Sequence, residues 1–199
     1  MRPEDILSTY DRVAEGYAAA RDRTLFERRW LDKMLSYAPG RRVLDLGCGP
    51  GRPIAQYLTD RRCEVVGVDG APAMIQLFEH YAPRAEAVLA DMRVLNLGQR
   101  FDVVLAWNSF FHLSPDDQRA MFEVFNRHIV RGGILMFTSG PREGEPIGRV
   151  EGEPVYHASL SPAEYRSLLE EHNFDELAFV PEDPDCGGHT IWMARARML

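Results

Sequence analysis

Apolar positions along this chain follow two different periods. Within 3–20, Ile6, Tyr10, Val13 and Tyr17 recur at steps of three and four, which places them on one face of a helix. A second helix is predicted over 24–37, closed by Pro39-Gly40. Beyond it, short apolar runs alternate with amphipathic stretches. The runs at 42–46, 64–68, 85–89, 101–107 and 134–138 predict strands, the fourth fully buried. The stretches at 53–59, 72–81 and 115–128 predict helices between them. Ser114-Pro115 and Ser161-Pro162 are helix starts, each with a capping Ser and Pro in the first turn. Glu164 stands at the capping-box position of the second, whose helix extends to about 172. Gly132-Gly133 predicts a turn, and 140–158, rich in Gly, Pro and Glu, predicts a loop. Two late strands, 175–180 and 189–196, have no helix between them. The alternation predicts a parallel sheet with right-handed crossovers, ending in an antiparallel pair at one edge.

Composition narrows the classes. The 199 residues are 45% hydrophobic and 27% charged, which fits one globular domain and excludes low-complexity disorder. No apolar run approaches the length of a membrane-spanning helix, and the N-terminal residues lack the apolar core of a signal peptide. The net charge of −7 is uneven. Residues 1–40 and 41–140 are each balanced, whereas residues 141–199 hold 5 basic and 12 acidic side chains. No basic patch suggests nucleic acid. Cys48, Cys63 and Cys186 are an odd, widely spaced set, which fits free thiols in a cytoplasmic protein and no structural zinc.

The chemistry is concentrated where predicted strands end. Val43-Leu44-Asp45-Leu46-Gly47-Cys48-Gly49-Pro50-Gly51 takes a buried strand into a glycine-rich turn and then a helix. Such a turn lets a ligand approach main-chain N–H groups. A dinucleotide fingerprint needs glycine at 52, where this chain has Arg, so a nucleoside without phosphates fits better. Asp69 ends the second strand, placed to accept hydrogen bonds from two ribose hydroxyls. Asp91 and Met92 follow the third strand, where a carboxylate meets an adenine amine and a thioether covers a purine face. Trp107-Asn108-Ser109-Phe110-Phe111-His112 ends the fourth.

These segments together resemble the class I S-adenosylmethionine-dependent methyltransferases over about 40–197. VLDLGCGPG at 43–51, VVGVDGAPAMI at 65–75, ADM at 90–92, FDVVLAWNSFFHL at 101–113 and GGILMFTS at 132–139 are similar to five successive family motifs. The resemblance implies a Rossmann-like α/β fold. It has seven strands, mostly parallel, with an antiparallel last strand and helices on both faces, under an N-terminal helical cap at 1–39. It also implies roles at the cofactor. Gly47, Cys48 and Gly49 pass under the methionine part, and Asp45 helps hold its amino group. Asp69 binds ribose, with Gly70 and Met74 beside the adenine. Asp91 and Met92 fix the adenine from the other side, and Trp107 offers a backbone carbonyl.

The expected reaction is transfer of a methyl group from S-adenosylmethionine to a small-molecule acceptor, leaving S-adenosylhomocysteine. The alternative is a non-catalytic module that binds or senses the cofactor. His112 is the candidate general base, because it follows the fourth strand and an imidazole titrates in the useful range; the bland alternative is a lining residue. His157, beside Tyr156, is a second candidate in the 140–158 segment, which is expected to roof the acceptor pocket. Asn108 and Phe111 belong to the same expected pocket. Tyr10 and Tyr17 share a helix face and serve either as core or as an aromatic lid over a sulfonium. His80, His128 and His172 sit at helix ends and read as partners of the helix dipole. Glu143, Glu145, Glu151 and Glu153 suggest an acidic pocket entrance.

Overall fold

A computed structural model describes residues 1–198. Helix α1 spans Ile6–Ala20, after a single 3-10 turn at Pro3–Asp5, and α2 spans Arg28–Tyr37. Then follow β1 (Arg42–Leu46), α3 (Ile54–Asp60), β2 (Glu64–Asp69), α4 (Pro72–Tyr81), β3 (Glu86–Leu89), β4 (Phe101–Ala106) and α5 (Pro115–His128). The chain continues with β5 (Ile129–Ser139), β6 (Ile147–Val150), β7 (Glu153–Tyr156), α6 (Pro162–Glu171), β8 (Phe174–Asp183) and β9 (His189–Ala196).

Seven strands form one sheet in the order β3-β2-β1-β4-β5-β9-β8. The first five are mutually parallel, while β9 runs antiparallel to both β5 and β8. Side-chain alternation explains the two covered faces. Leu44, Leu46, Val104, Ala106, Leu135 and Phe137 point to one side and meet α5 and α6 residues such as Met121, Phe122, Phe125 and Tyr165. Val43, Val65, Val103, Leu105, Ile134 and Met136 point to the other and meet Trp30, Leu31 and Met34 of α2, Leu58 of α3 and Phe78 of α4. The chain winds outward from β1 to β3, then returns to β4 on the other side of β1. A crevice therefore opens between the C-terminal ends of β1 and β4, the place where open α/β sheets bind ligands.

Four expectations change. The 140–158 segment is not an irregular loop: β6 and β7 form an antiparallel hairpin, with Ile147 opposite Tyr156 and Val150 opposite Glu153. The N-terminal cap divides, because α2 belongs to the packed layer under the sheet and only α1 lies over the crevice. Helix α2 starts at Arg28 rather than 24, since Leu25 takes a left-handed conformation (φ 57°) that no right-handed helix accommodates. Finally, β5 begins at Ile129. Gly132, at φ +74°, makes an irregularity inside the strand instead of a turn before it.

Candidate active site

Strand β1 delivers the chain into Gly47-Cys48-Gly49-Pro50-Gly51. Gly47 and Gly49 both take positive φ, +70° and +53°. At Gly47 a Cβ would lie 2.2 Å from that of Ser109, so the turn has no room for a side chain. At Gly49 only Tyr17 stands within 4 Å, at 3.9 Å, so the backbone there faces open space. The turn is tied to β2: Gly47 and Cys48 donate their N–H groups to the Val68 carbonyl, and Gly49 donates to Asp69 Oδ2 at 3.0 Å. Asp69 Oδ1 accepts from Ala71 N–H at 2.9 Å. Burial raises the Asp69 carboxyl above the ordinary range, and these N–H donors partly offset it. Asp45 is buried behind the turn, outside the cavity wall, and burial with the nearby Asp69 charge pushes it up to about 7. Burial also raises the Cys48 thiol well above its usual value, so this cysteine is a packed, protonated group.

The crevice is a cavity with about 1030 Å³ of empty space, open at its mouth. Gly47, Cys48, Gly49, Asp69, Gly70, Met74, Asp91, Met92 and Trp107 all line it, as do Tyr10, Tyr17, Asn108 and His112. Asp91 is already engaged: Arg93 Nε stands 3.0 Å from both of its oxygens, and Asp91 also accepts the Arg93 backbone N–H at 2.9 Å. That guanidinium holds the Asp91 carboxyl below its usual value against the effect of burial. Leu7 of α1 lies over Gly70, where a Cβ would stand 2.7 Å from the Leu7 side chain.

Two further cations stand in the wall: Arg21, which sequence reasoning missed, and Arg52, which it read only as breaking a dinucleotide fingerprint. Arg21, at the end of α1, pairs with the fully buried Glu27 and borders the cavity. Arg52 stacks its guanidinium on Tyr81, 3.4 Å from the ring centroid. Its Nη2 donates to the Ala18 carbonyl at 3.3 Å, and its Nε is buried without a partner. Trp107 Nε1 is likewise buried and unpaired. No local pattern marks Arg21, because its place depends on α1 folding back over the sheet.

A second cavity lies under the hairpin and shares Tyr10, Tyr17, Asn108 and His112 with the first. Tyr10 and Tyr17 meet edge to face at 5.6 Å, so they form a partition between the cavities rather than buried core. Phe111 and His157 line the second cavity, with Arg149, Glu182 and His189. Tyr156 does not. Alternation along β7 turns Val155 and His157 toward the cavity and Tyr156 away, against Ile6, with its hydroxyl on Glu145. None of Glu143, Glu145, Glu151 and Glu153 lines either cavity, and Glu153 pairs with Arg12 across 3.6 Å. The expected acidic entrance is therefore not part of the cavity wall.

His112 is buried between α1 and the hairpin. Its Nδ1 lies 2.8 Å from the Tyr156 carbonyl, which only accepts, so Nδ1 carries the proton. Its Nε2, 2.9 Å from the Tyr10 hydroxyl, is then the acceptor of that O–H. Burial lowers the imidazole to about 4, so it is neutral at physiological pH. Among the other histidines, His128 is no dipole cation: burial lowers it, and its Nε2 accepts the Leu97 N–H at 3.1 Å.

Residues 43–133 match a protein family described as a methyltransferase domain. The chain is 29% identical over 138 residues to a malonyl-[acyl-carrier protein] O-methyltransferase of Enterobacter lignolyticus, covering 67% of this chain and 53% of that protein. It is 32% identical over 161 residues to an uncharacterized methyltransferase of Mycobacterium tuberculosis, covering 76% and 64%. The chain thus spans only about half to two thirds of the length of these relatives. Its fold is also that of the glycopeptide N-methyltransferase MtfA complexed with S-adenosyl-L-homocysteine. The TM-score is 0.72 at 18% identity, covering 89% of this chain and 91% of the other. No helix among the described residues is long and apolar enough to cross a membrane. No group of three or more His, Cys, Asp or Glu among them is placed to hold a metal ion.

Proposed function

We propose that this protein transfers the methyl group of S-adenosylmethionine to a small-molecule acceptor in the cytoplasm, with S-adenosylhomocysteine as the product. The observation that carries the reading is the pair of cavities meeting at Tyr10, Tyr17, Asn108 and His112. A module that only binds the cofactor needs no second cavity.

The residues of the first cavity suit S-adenosylmethionine. The cradle at Gly47–Gly49 admits a chain that packs on backbone, and the unpaired donor at Arg52 together with Arg21 suits a carboxylate. Asp69 takes the ribose hydroxyls, Met74 and Met92 the purine faces, Asp91 the exocyclic amine and the Trp107 carbonyl the amino group, while Asp45, behind the turn and outside the cavity wall, touches no part of the ligand. When bound, the cofactor supplies an electrophilic methyl group on sulfur. The chain supplies orientation and exclusion of water, which contribute most in a displacement of this kind. Tyr10 and Tyr17 turn aromatic surface toward the cation.

The acceptor occupies the second cavity. Its wall holds one cation, Arg149, and one anion, Glu182, with Asn108 and histidines as neutral polar groups. A small polar acceptor of modest net charge fits this inventory. Calorimetric titration with S-adenosylmethionine, followed by assay of S-adenosylhomocysteine release on a deproteinised metabolite extract, tests the reading. Tight binding with turnover is expected; binding with no turnover leaves the non-catalytic module standing.

A further inference from the structure

Three imidazoles line the second cavity, and they differ in what their nitrogens have left to do. His112 uses both, donating from Nδ1 to the Tyr156 carbonyl and accepting the Tyr10 hydroxyl at Nε2. His189 uses both as well. Its Nδ1 stands 2.7 Å from the Cys186 carbonyl and so is the donor, which leaves Nε2 to accept Asn108 Nδ2–H at 2.9 Å. Asn108 completes that chain through Thr138, whose hydroxyl it contacts at 3.3 Å by Oδ1 and at 2.8 Å by its backbone N–H.

His157 has neither ring nitrogen hydrogen-bonded among the described residues, although it is half-buried. Packing alone fixes its ring. Phe111 meets it edge to face at 4.8 Å, and His112 stands at the same distance. Across the hairpin, Gly148 makes room for it: a Cβ there would lie 2.7 Å from Cε1. A polar side chain held by apolar contacts, with its hydrogen-bonding atoms free, is poised toward something that enters the cavity. The titratable and charged groups that share the cavity with it are Tyr10 and Tyr17 from α1, His112 from the turn after β4, Arg149 from β6, Glu182 from β8 and His189 from β9. Burial lowers the His157 imidazole, so its lone pair is available at neutral pH.

We infer that His157, not His112, receives the proton of the methyl acceptor, and that His112 is a positioning residue that holds Tyr10 in the partition. The inference rests on the methyl-transfer reading above. The substrate class it implies is an acceptor bearing a proton on the reacting atom: a hydroxyl, a thiol or an amine protonated after attack. In the step, the acceptor atom forms its bond to the methyl carbon as the carbon–sulfur bond breaks. The electron pair of that bond stays on sulfur, and the acceptor's proton passes to an imidazole nitrogen of His157 and then to water.

Two kinds of measurement test this. Diethyl pyrocarbonate acylates free, unprotonated imidazole nitrogens. His157 is expected to be labelled at least tenfold faster than His112 or His189, read by peptide mass spectrometry. Nitrogen-15 histidine spectra are expected to show His112 and His189 as single Nδ1–H tautomers while His157 titrates. Labelling of His112 in preference to His157 overturns the inference. In the metabolite-extract assay, His157→Gln is expected to lose roughly 100-fold or more in turnover, the scale of general-base catalysis, with the dissociation constant for S-adenosylmethionine unchanged. Imidazole in the buffer is expected to restore His157→Gly and not His112→Gly. Full turnover by His157→Gln defeats the base alone, whereas no turnover by the wild type defeats the methyl-transfer reading and the base with it.

Discussion

Asp69 organises its surroundings whether or not a ligand is present. Its two oxygens accept the Gly49 and Ala71 N–H groups, so the same carboxylate shapes the glycine turn and faces the cavity. Replacing Asp69 by Ala is expected to weaken S-adenosylmethionine binding by about 2 kcal/mol or more, because a charged acceptor of several hydrogen bonds is lost. Asp69→Asn, which keeps one acceptor oxygen, loses less; isothermal titration measures both. Asp45 gives a second prediction. Its value of about 7 in the folded protein exceeds the 3.8 of a free carboxyl, so the native state holds this proton more tightly than the unfolded chain. The resulting stability is complete below about pH 4 and is lost as pH rises through 7. The stability advantage of Asp45→Asn over the wild type is expected to be larger at pH 8 than at pH 5, by on the order of 2 kcal/mol, in thermal or urea denaturation without ligand. At this scale the sequence shows Gly47, Asp69, Asp91 and Met92 plainly, because strand ends fix where such residues stand. It does not show that both nitrogens of His112 are taken, since Tyr10 and Tyr156 reach it from 102 and 44 residues away.

The elements record how local signals compete. The Ser114 and Ser161 caps form as their dipeptides imply, accepting the N–H groups of Asp117 and Glu164. The capping box at Ser161 forms only in half, because the Glu164 carboxylate takes Arg119 of α5 at 2.7 Å instead of reaching back. The hairpin was hidden by its own composition: Gly144, Pro146, Gly148, Gly152 and Pro154 read as loop, yet four residue pairs align there. Gly148 has a use beyond bending the chain. Gly148→Ala is expected to displace the His157 ring and lower turnover roughly tenfold, since small misplacements of a reacting group are costly. Its affinity for S-adenosylmethionine is expected to stay at the wild-type value. Equal turnover in steady-state assays would show that the ring tolerates the shift.

For the whole molecule, the order of strands around β1 decides where function gathers; the alternation of periods along the chain implies a parallel sheet with crossovers, and the order itself appears only in the folded chain. The distribution of charge did not translate as directly. In the acidic C-terminal third, Glu153, Glu164, Glu176 and Glu145 engage Arg12, Arg119, Arg166 and the Tyr156 hydroxyl, and of the glutamates there Glu182 alone lines either cavity. If the first cavity holds S-adenosylmethionine, ligand at 100 times its dissociation constant stabilises the fold by about 2.7 kcal/mol. A chain of this size should then melt roughly 5–10 °C higher, and scanning fluorimetry with and without cofactor reads it. The partition of Tyr10 and Tyr17 has a kinetic meaning. One wall serves two guests, so a cofactor pressing on it from one side finishes the surface that the acceptor meets on the other. Whatever factor the first guest adds to the affinity of the second, the second returns to the first. Titrating each guest with and without the other is then expected to give the same factor in both directions.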